Sequence, residues 1–114
     1  MRMVINITSI RIRSLWKFFE LSYNGLLISR QTKTQPGFIR LKNTGFGYDH
    51  YTLSVWEDQK SLREFARSGA HLEAMKKSAA LATEIRTYSY ESDQLPDWKE
   101  VKQLLRDKGK VFRY

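Results

Sequence analysis

The sequence offers two histidines, His50 and His71, as its first candidates for chemistry. It holds no cysteine, which excludes thiolate metal sites, disulfides and a cysteine nucleophile. Neither histidine belongs to an H-x-x-x-H pair or accompanies a G-x-S-x-G or paired-acid pattern, so neither a zinc hydrolase nor a serine triad is indicated. His71 lies just after a predicted helix break at Gly69. A neutral imidazole in an apolar pocket suits haem iron, although a histidine that caps a helix gives the same pattern.

A second candidate is one face of a predicted strand at residues 51–56. Apolar residues alternate there with Thr52, Ser54 and Trp56, a period of two that is typical of a strand. Trp56 could supply a flat wall for a ligand, and the two hydroxyls could orient it. The alternative is that Trp56 ends the strand and packs on a neighbouring subunit.

The remaining pattern predicts the elements that must position these residues. Strands are expected at 3–12, 38–42, from about 50 to 56 and at 84–91, and helices at 14–33, 58–82 with a break at Gly69, and 97–108. Asp58 is a candidate N-cap, Ser61 with Glu64 fits a capping box, and Gly109 would end the last helix. The order β-α-β-β-α-β with an added C-terminal helix predicts an α+β, ferredoxin-like antiparallel sheet.

The length of the chain and the predicted sheet indicate how the domain and its subunits are organised. A length of 114 residues predicts one domain spanning 1–114. The apolar tail at 111–114 could dock on the sheet. Aromatic residues on the second sheet face need a cover, and a second copy of the chain is the simplest one, so we expect a homodimer.

The charge and hydropathy of the chain limit the classes of binding partner that it could have. The net charge is +8, and the first 50 residues hold eight basic and two acidic side chains. Such a surface could be merely solvated, or could attract nucleic acid, anionic lipid or an anionic ligand group, which Lys42 or Arg40 could meet. The surplus apolar residues of helix 14–33 suit the core, an apolar pocket, a partner or a membrane surface. No apolar run is long enough to span a bilayer, so any membrane association would be weak and at the surface, and the lack of cysteine fits the cytoplasm.

The segment Gly45-Phe46-Gly47-Tyr48-Asp49-His50-Tyr51 approaches the core pattern of an RNA-recognition motif. Against this hypothesis, Thr44 stands where a basic residue is expected and Asp49 where an apolar residue should enter the core. Residues 4–7, VINI, also lack the aromatic partner. Nucleic acid is therefore the less favoured partner.

Several short segments carry a family resemblance. They are Pro36-Gly37-Phe38, Leu41-Lys42, Thr44-Gly45, Leu53-Ser54-Val55-Trp56-Glu57-Asp58, Phe65-Ala66-Arg67, Ala70-His71 with Ala74-Met75, and Glu84-Ile85 before Tyr88. In these segments the chain resembles spheroidene monooxygenase-like proteins, within the dimeric α/β-barrel superfamily that includes the antibiotic-biosynthesis monooxygenases. The resemblance implies a ferredoxin-like subunit, a face-to-face dimer and a pocket between sheet and helices.

The resemblance also implies roles for single residues. Spheroidene monooxygenase oxidises a carotenoid with molecular oxygen and is a haem protein, and His71 is the matching position that could ligate the iron. The chain also resembles haem-degrading monooxygenases of the same superfamily. Their Asn, Trp and His set would fall on Asn6, Phe65 and Met75, of which only Asn6 agrees.

Together these observations give a set of site predictions. Asn6 and His71 are expected to be catalytic, and a cofactor would contact His71, Trp56 and Lys42. The expected substrate pocket is lined by Thr52, Ser54, Trp56, Phe65 and Met75. The predicted function is a monooxygenase-like protein that binds and could oxidise an apolar substrate with molecular oxygen, with haem as the candidate cofactor. A non-enzymatic binding or interaction module on the same scaffold, and a single-stranded RNA-binding domain, remain alternatives.

Overall fold

The computed structural model describes residues 2–67, 76–77 and 80–114. The strands are β1 (Met3–Ile12), β2 (Phe38–Phe46), β3 (Asp49–Trp56), β4 (Ala82–Ser92) and β5 (Lys110–Arg113). The helices are α1 (Lys17–Thr32), α2 (Gln59–Ala66) and α3 (Trp98–Lys108), and the described residues just before β4 are also helical. The described ranges contain no helix that is long and apolar enough to cross a membrane.

One antiparallel sheet with the strand order β2-β3-β1-β4-β5 organises the chain. The four strands β2-β3-β1-β4 are the predicted ferredoxin-like sheet, which is therefore confirmed. The C-terminal tail docks on it as predicted, because β5 pairs with β4 and extends the sheet at that edge.

The alternation of β1 gives the sheet two different faces. Ile5 and Ile7 point to one face and are fully buried against α3, whose Val101 and Leu105 belong to the same apolar cluster. We call this side the α3 face. The alternate residues of β1, beginning with Val4, point to the other side. There Trp56 packs with α2 in a second cluster, and the ring of Phe18 in α1 lies 5.4 Å from that of His50 in β3, so we call this side the α1/α2 face.

The aromatic residues of the sheet meet α3 rather than open solvent alone. Tyr51, Tyr88 and Tyr90 pack around the cluster on the α3 face, together with Trp98 of the helix. Part of the surface for which a second copy was the expected cover is thus covered by the chain's own last helix. The homodimer remains a prediction.

Helix ends follow the local chemistry. Asp58 caps α2 as predicted, since its Oδ1 accepts the Ser61 backbone N–H at 2.7 Å. The predicted capping box of Ser61 with Glu64 is wrong, because the helix already begins at Gln59. Asp97 caps α3 in the same way, accepting the Glu100 N–H at 2.8 Å, and Gly109 ends that helix as predicted.

Several element boundaries differ from the sequence prediction. β4 begins at Ala82, which was expected to end a helix, and the helix break predicted at Gly69 lies outside the described residues. α1 begins at Lys17 rather than at Ser14, because Ser14 to Lys17 form a turn in which the Ser14 carbonyl accepts the Lys17 N–H at 3.0 Å. β2 runs on to Phe46 instead of ending at Lys42, because residues 43–46 pair with β3 and leave only a short turn at Gly47, whose φ of 64° suits glycine.

The packing of α3 can be tested directly. Leu105 is 2% exposed in the core cluster, so Leu105→Ala should lower the free energy of unfolding by about 2–5 kcal/mol, measured by urea denaturation. Lys99→Ala on the exposed side of the same helix is the control and should change it by less than about 0.5 kcal/mol. Similar effects of the two substitutions would show that α3 does not pack on the sheet.

Candidate functional site

A band of polar side chains crosses three adjacent strands on the α1/α2 face. In the register of the sheet, Asn6 of β1 lies between Ser54 of β3 and Ser89 of β4. Two residues along, Thr8 lies between Thr52 and Thr87. Partners opposite each other in antiparallel strands point to the same side, so all of these side chains share one face. We call the six residues of these two rows the polar strip: Asn6, Thr8, Thr52, Ser54, Thr87 and Ser89.

Hydrogen bonds hold part of the polar strip in place. The Ser89 hydroxyl donates to Asn6 Oδ1 at 2.7 Å. Thr87 Oγ1 lies 3.4 Å from Thr8 Oγ1 and donates to the Ile7 carbonyl at 3.3 Å. The Asn6 amide NH₂ group is not used in the contact with Ser89, so the amide can still donate to a bound molecule.

The side chains of the polar strip differ in their exposure to solvent. Ser54 is only 5% exposed, whereas Asn6, Thr8 and Thr52 are half-buried and Ser89 is exposed. Half-buried hydroxyl and amide groups bordered by apolar side chains are the kind of surface that orients a small ligand. The strip is therefore a candidate floor for a binding site.

His50 extends the polar strip by one further row. It pairs with Ile10, so it shares the face of Thr52 two residues along β3. Its Nε2 lies 3.0 Å from the Gly47 carbonyl oxygen, and its ring lies 5.4 Å from that of Phe18 in α1. A carbonyl can only accept, so Nε2 is the donor in this contact, which leaves Nδ1 as the second ring nitrogen.

A glycine makes room for this histidine. A Cβ on Gly45, its partner on β2, would lie 2.4 Å from His50 Nδ1 and 2.9 Å from the His50 Cα. The backbone of β2 therefore approaches His50 more closely than any side chain at position 45 would allow.

Trp56 and Phe65 fill the core at the other end of the strip. Their rings stack at a centroid distance of 5.0 Å, Phe38 meets Trp56 edge-on at 5.8 Å, and Trp56 is 0% exposed. The indole Nε1 donates to Ser54 Oγ at 3.0 Å. In this packing Trp56 presents no free face to a ligand, and its contribution is to hold Ser54 and the end of β3.

The structure brings only some of the predicted site residues together. Asn6, Thr52 and Ser54 meet in the polar strip. Lys42 pairs with Leu53, so it lies on the α3 face and is exposed, separated from the strip by the sheet. His71 and Met75 lie outside the described residues, and their predicted roles stay predictions.

Sequence reasoning missed several members of the site. Thr8, Thr87 and Ser89 join it only through the pairing of β1 with β4, two strands far apart in the chain. His50 is a candidate from its residue type, but its place in the site was not predicted, although it alternates in phase with Thr52 and Ser54 in β3.

The described side chains do not favour haem. His50, the histidine among them, has its Nε2 engaged with the Gly47 carbonyl and its ring against Phe18. Within the described part of the chain, no three His, Asp or Glu side chains converge on a metal position. The six side chains of the polar strip are hydroxyl and amide groups, which are not axial ligands of haem iron.

Groups with a displaced pKa lie away from the polar strip. Burial raises the pKa of Tyr51 and of Tyr90, and both pack on the α3 face. Lys102 Nζ lies 5.2 Å from the centre of the Tyr51 ring, beside a polar depression of about 290 Å³. The hydrogen bonds from Ser61 lower the pKa of Asp58, but this carboxylate caps α2.

The segment that approached the RNA-recognition pattern forms a hairpin at the edge of the sheet. Gly45 and Phe46 end β2, and Gly47 and Tyr48 form the turn to β3. An RNA-recognition motif instead displays its aromatic residues on the open face of the sheet. This arrangement gives RNA binding no support.

Comparison with known proteins places this geometry in context. No family model matches the chain, and no curated protein matches it significantly. Solved structures do match. One match is a single-residue mutant of SnoaB, a cofactor-independent oxygenase from Streptomyces nogalater. Its structure superposes on this one with a TM-score of 0.70 at 18% sequence identity, and the match covers 83% of this chain and 98% of SnoaB. A proposed antibiotic biosynthesis monooxygenase from Nitrosomonas europaea gives 0.74 at 12% identity, over 83% and 94%.

A third match, a proposed antibiotic biosynthesis monooxygenase from Deinococcus radiodurans, gives a TM-score of 0.73 at 13% identity, over 82% of this chain and 96% of that one. The fold is that of the antibiotic biosynthesis monooxygenases. This confirms the resemblance predicted at the level of the superfamily fold. The narrower resemblance to spheroidene monooxygenase stays a prediction, because the antibiotic biosynthesis monooxygenase fold alone does not fix substrate or chemistry.

The contact between Trp56 and Ser54 can be measured by a double-mutant cycle. Trp56→Phe removes the indole donor, and Ser54→Ala removes its acceptor. Leaving either partner buried alone is costly, so the double mutant should lose less stability than the sum of the single mutants, by about 0.5–1.5 kcal/mol. Trp56→Phe combined with Thr52→Val is the control, and its effects should add within about 0.5 kcal/mol. Additivity in the first cycle would show that the hydrogen bond is absent.

Proposed function

We propose that the chain binds a small, largely apolar molecule over the polar strip and oxidises it with molecular oxygen, without a protein-bound cofactor. The observation that carries the proposal is the half-buried pair of polar rows on the α1/α2 face, with His50 at one end. The cofactor-independent chemistry named for SnoaB, a structure with the same fold, supports this form of the proposal over a haem enzyme.

The polar strip supplies what such a substrate would need. Thr8, Thr52 and the Asn6 amide can donate hydrogen bonds to a carbonyl or phenolic oxygen. Donors fixed by a strand are already in place when negative charge develops on that oxygen, which is how a preorganised site stabilises an anion. The ring of Phe18 and the apolar side chains near it would bind the rest of the molecule.

Oxidation without a cofactor restricts the substrate. When a CH₂ group becomes a carbonyl, one atom of O₂ enters as the carbonyl oxygen, and the other leaves as water with the two hydrogens. The substrate supplies all four electrons, so it must have an acidic C–H bond that yields an electron-rich anion. In this proposal His50 Nδ1 takes the proton while Nε2 donates to the Gly47 carbonyl, and the ring later returns the proton to the oxygen atom that leaves as water.

A non-enzymatic binding module is the second candidate. It is favoured by the composition of the polar strip, whose six side chains are hydroxyl and amide groups that can hold a ligand but do not readily take up or release a proton. The same strip would then bind an apolar ligand without converting it.

Binding can be tested with anthrone, a flat tricyclic ketone with an acidic CH₂ group. Thr52→Val replaces a strip hydroxyl by a methyl group of similar size, and the loss of one hydrogen bond should raise the Kd by about 3- to 10-fold in fluorescence titration. Thr44→Val is the matched control, because Thr44 pairs with Tyr51 and lies on the α3 face. Equal weakening by both substitutions would contradict a site on the strip.

Oxidation is tested with an oxygen electrode on the same mixture. Wild-type protein should consume oxygen, and His50→Gln should slow the uptake by about 10²- to 10⁴-fold while the Kd changes little. Anthrone binding by the wild type without any oxygen uptake would instead support the binding module. Unchanged uptake in His50→Gln would remove the histidine from the mechanism.

A further inference from the structure

Large apolar side chains are exposed along one side of α1 and just before it. Trp16, just before the helix, is 81% exposed, Phe19 is 67% exposed and Tyr23 is 63% exposed. Leu26 is 50% exposed. The spacing of these four positions alternates between three and four residues, which places them along one side of a helix. We call them the α1 stripe. It is about 15 Å long at a rise of 1.5 Å per residue.

The α1 stripe is not the normal exterior of a surface helix. α3 shows the normal pattern in the same molecule, with Val101 and Leu105 buried and charged residues outside. Among the described side chains of α1, Thr32 is the fully buried one, and those of the α1 stripe are exposed. A contiguous patch of this kind marks an interaction surface.

Basic side chains accompany the stripe. Residues 13–33 hold four basic residues and one acidic residue, Glu20, which pairs with Lys17 at 3.3 Å. Beyond the stripe, Arg30 lies in the last turn of α1 and Lys33 is its C-cap residue. A groove of about 530 Å³ runs alongside it, lined by Phe19, Glu20, Tyr23, Lys77 and Ala80, so Lys77 adds a further cation.

We infer that the α1 stripe docks on the surface of a bilayer containing anionic phospholipids. Trp and Tyr are the side chains that prefer the boundary between headgroups and acyl chains, and Lys and Arg flanking them are attracted to anionic headgroups. A helix with Trp, Phe and Leu on one side and basic residues around it lies in the plane of the interface. The charge surrounding the stripe selects this occupant over a second copy, whose own stripe would carry the same positive charge.

The experiment is co-sedimentation with vesicles of about 30% phosphatidylglycerol in phosphatidylcholine, with no substrate present. The protein should sediment with these vesicles, and at least about tenfold less with pure phosphatidylcholine or in about 0.5 M salt. Phe19→Ser with Leu26→Ser should reduce binding by about tenfold or more. Both side chains are exposed, so the fold should tolerate the change, which a circular dichroism melt checks.

Two matched controls distinguish binding through the α1 stripe from non-specific apolar adsorption and from non-specific attraction by positive charge. Phe112→Ser changes an exposed aromatic residue of β5, and Lys99→Gln with Lys108→Gln removes two charges from α3; both should sediment like the wild type. Arg30→Gln with Lys33→Gln should reduce sedimentation.

Absence of binding, or equal loss in the controls, overturns the inference. So does a dimer in sedimentation equilibrium that Phe19→Ser dissociates, since a second copy would then cover the stripe. Because the assay contains no substrate, none of these outcomes bears on the proposed oxidation.

Discussion

The pairing of β1 with strands on both sides is the constraint on which the rest of the structure depends. Ile5 and Ile7 must enter the core beneath α3, and this holds Asn6 and Thr8 on the opposite face. Side chains alternate with a period of two, so a slip of one residue would exchange the two sets. The apolar packing on the α3 face therefore fixes the geometry of the polar strip on the other.

Much of the fold could be predicted from local patterns. The bounds of β1, the alternation in β3 and the caps at Asp58 and Gly109 all depend on residues close in sequence, and they agree with the structure. The extension of β2 could not be predicted so easily, because Gly45 and Gly47 have the composition of a loop. Gly45 belongs to the strand because it pairs with His50 of β3, and a glycine is needed there because the ring of His50 occupies the space that a side chain would need.

The site was predictable only in part, for the same reason. Parity alone placed Thr52 and Ser54 on one face, but the partnership of Asn6 with Ser89 requires the register of two strands about 80 positions apart, which no local pattern contains. Trp56 shares the parity of the strip, yet Phe38 and Phe65 converge on it from distant segments and enclose it. A large side chain near a predicted pocket thus became core through contacts that the sequence does not show.

The central claim is that a ligand binds on the polar strip of the α1/α2 face. It is tested most directly by NMR on protein with labelled threonine methyl groups, titrated with anthrone. The account predicts saturable shifts for Thr8, Thr52 and Thr87, with Thr44 on the α3 face unaffected. Shifts confined to Thr44, or no shifts at a ligand concentration where fluorescence shows binding, would place the site elsewhere and contradict the account.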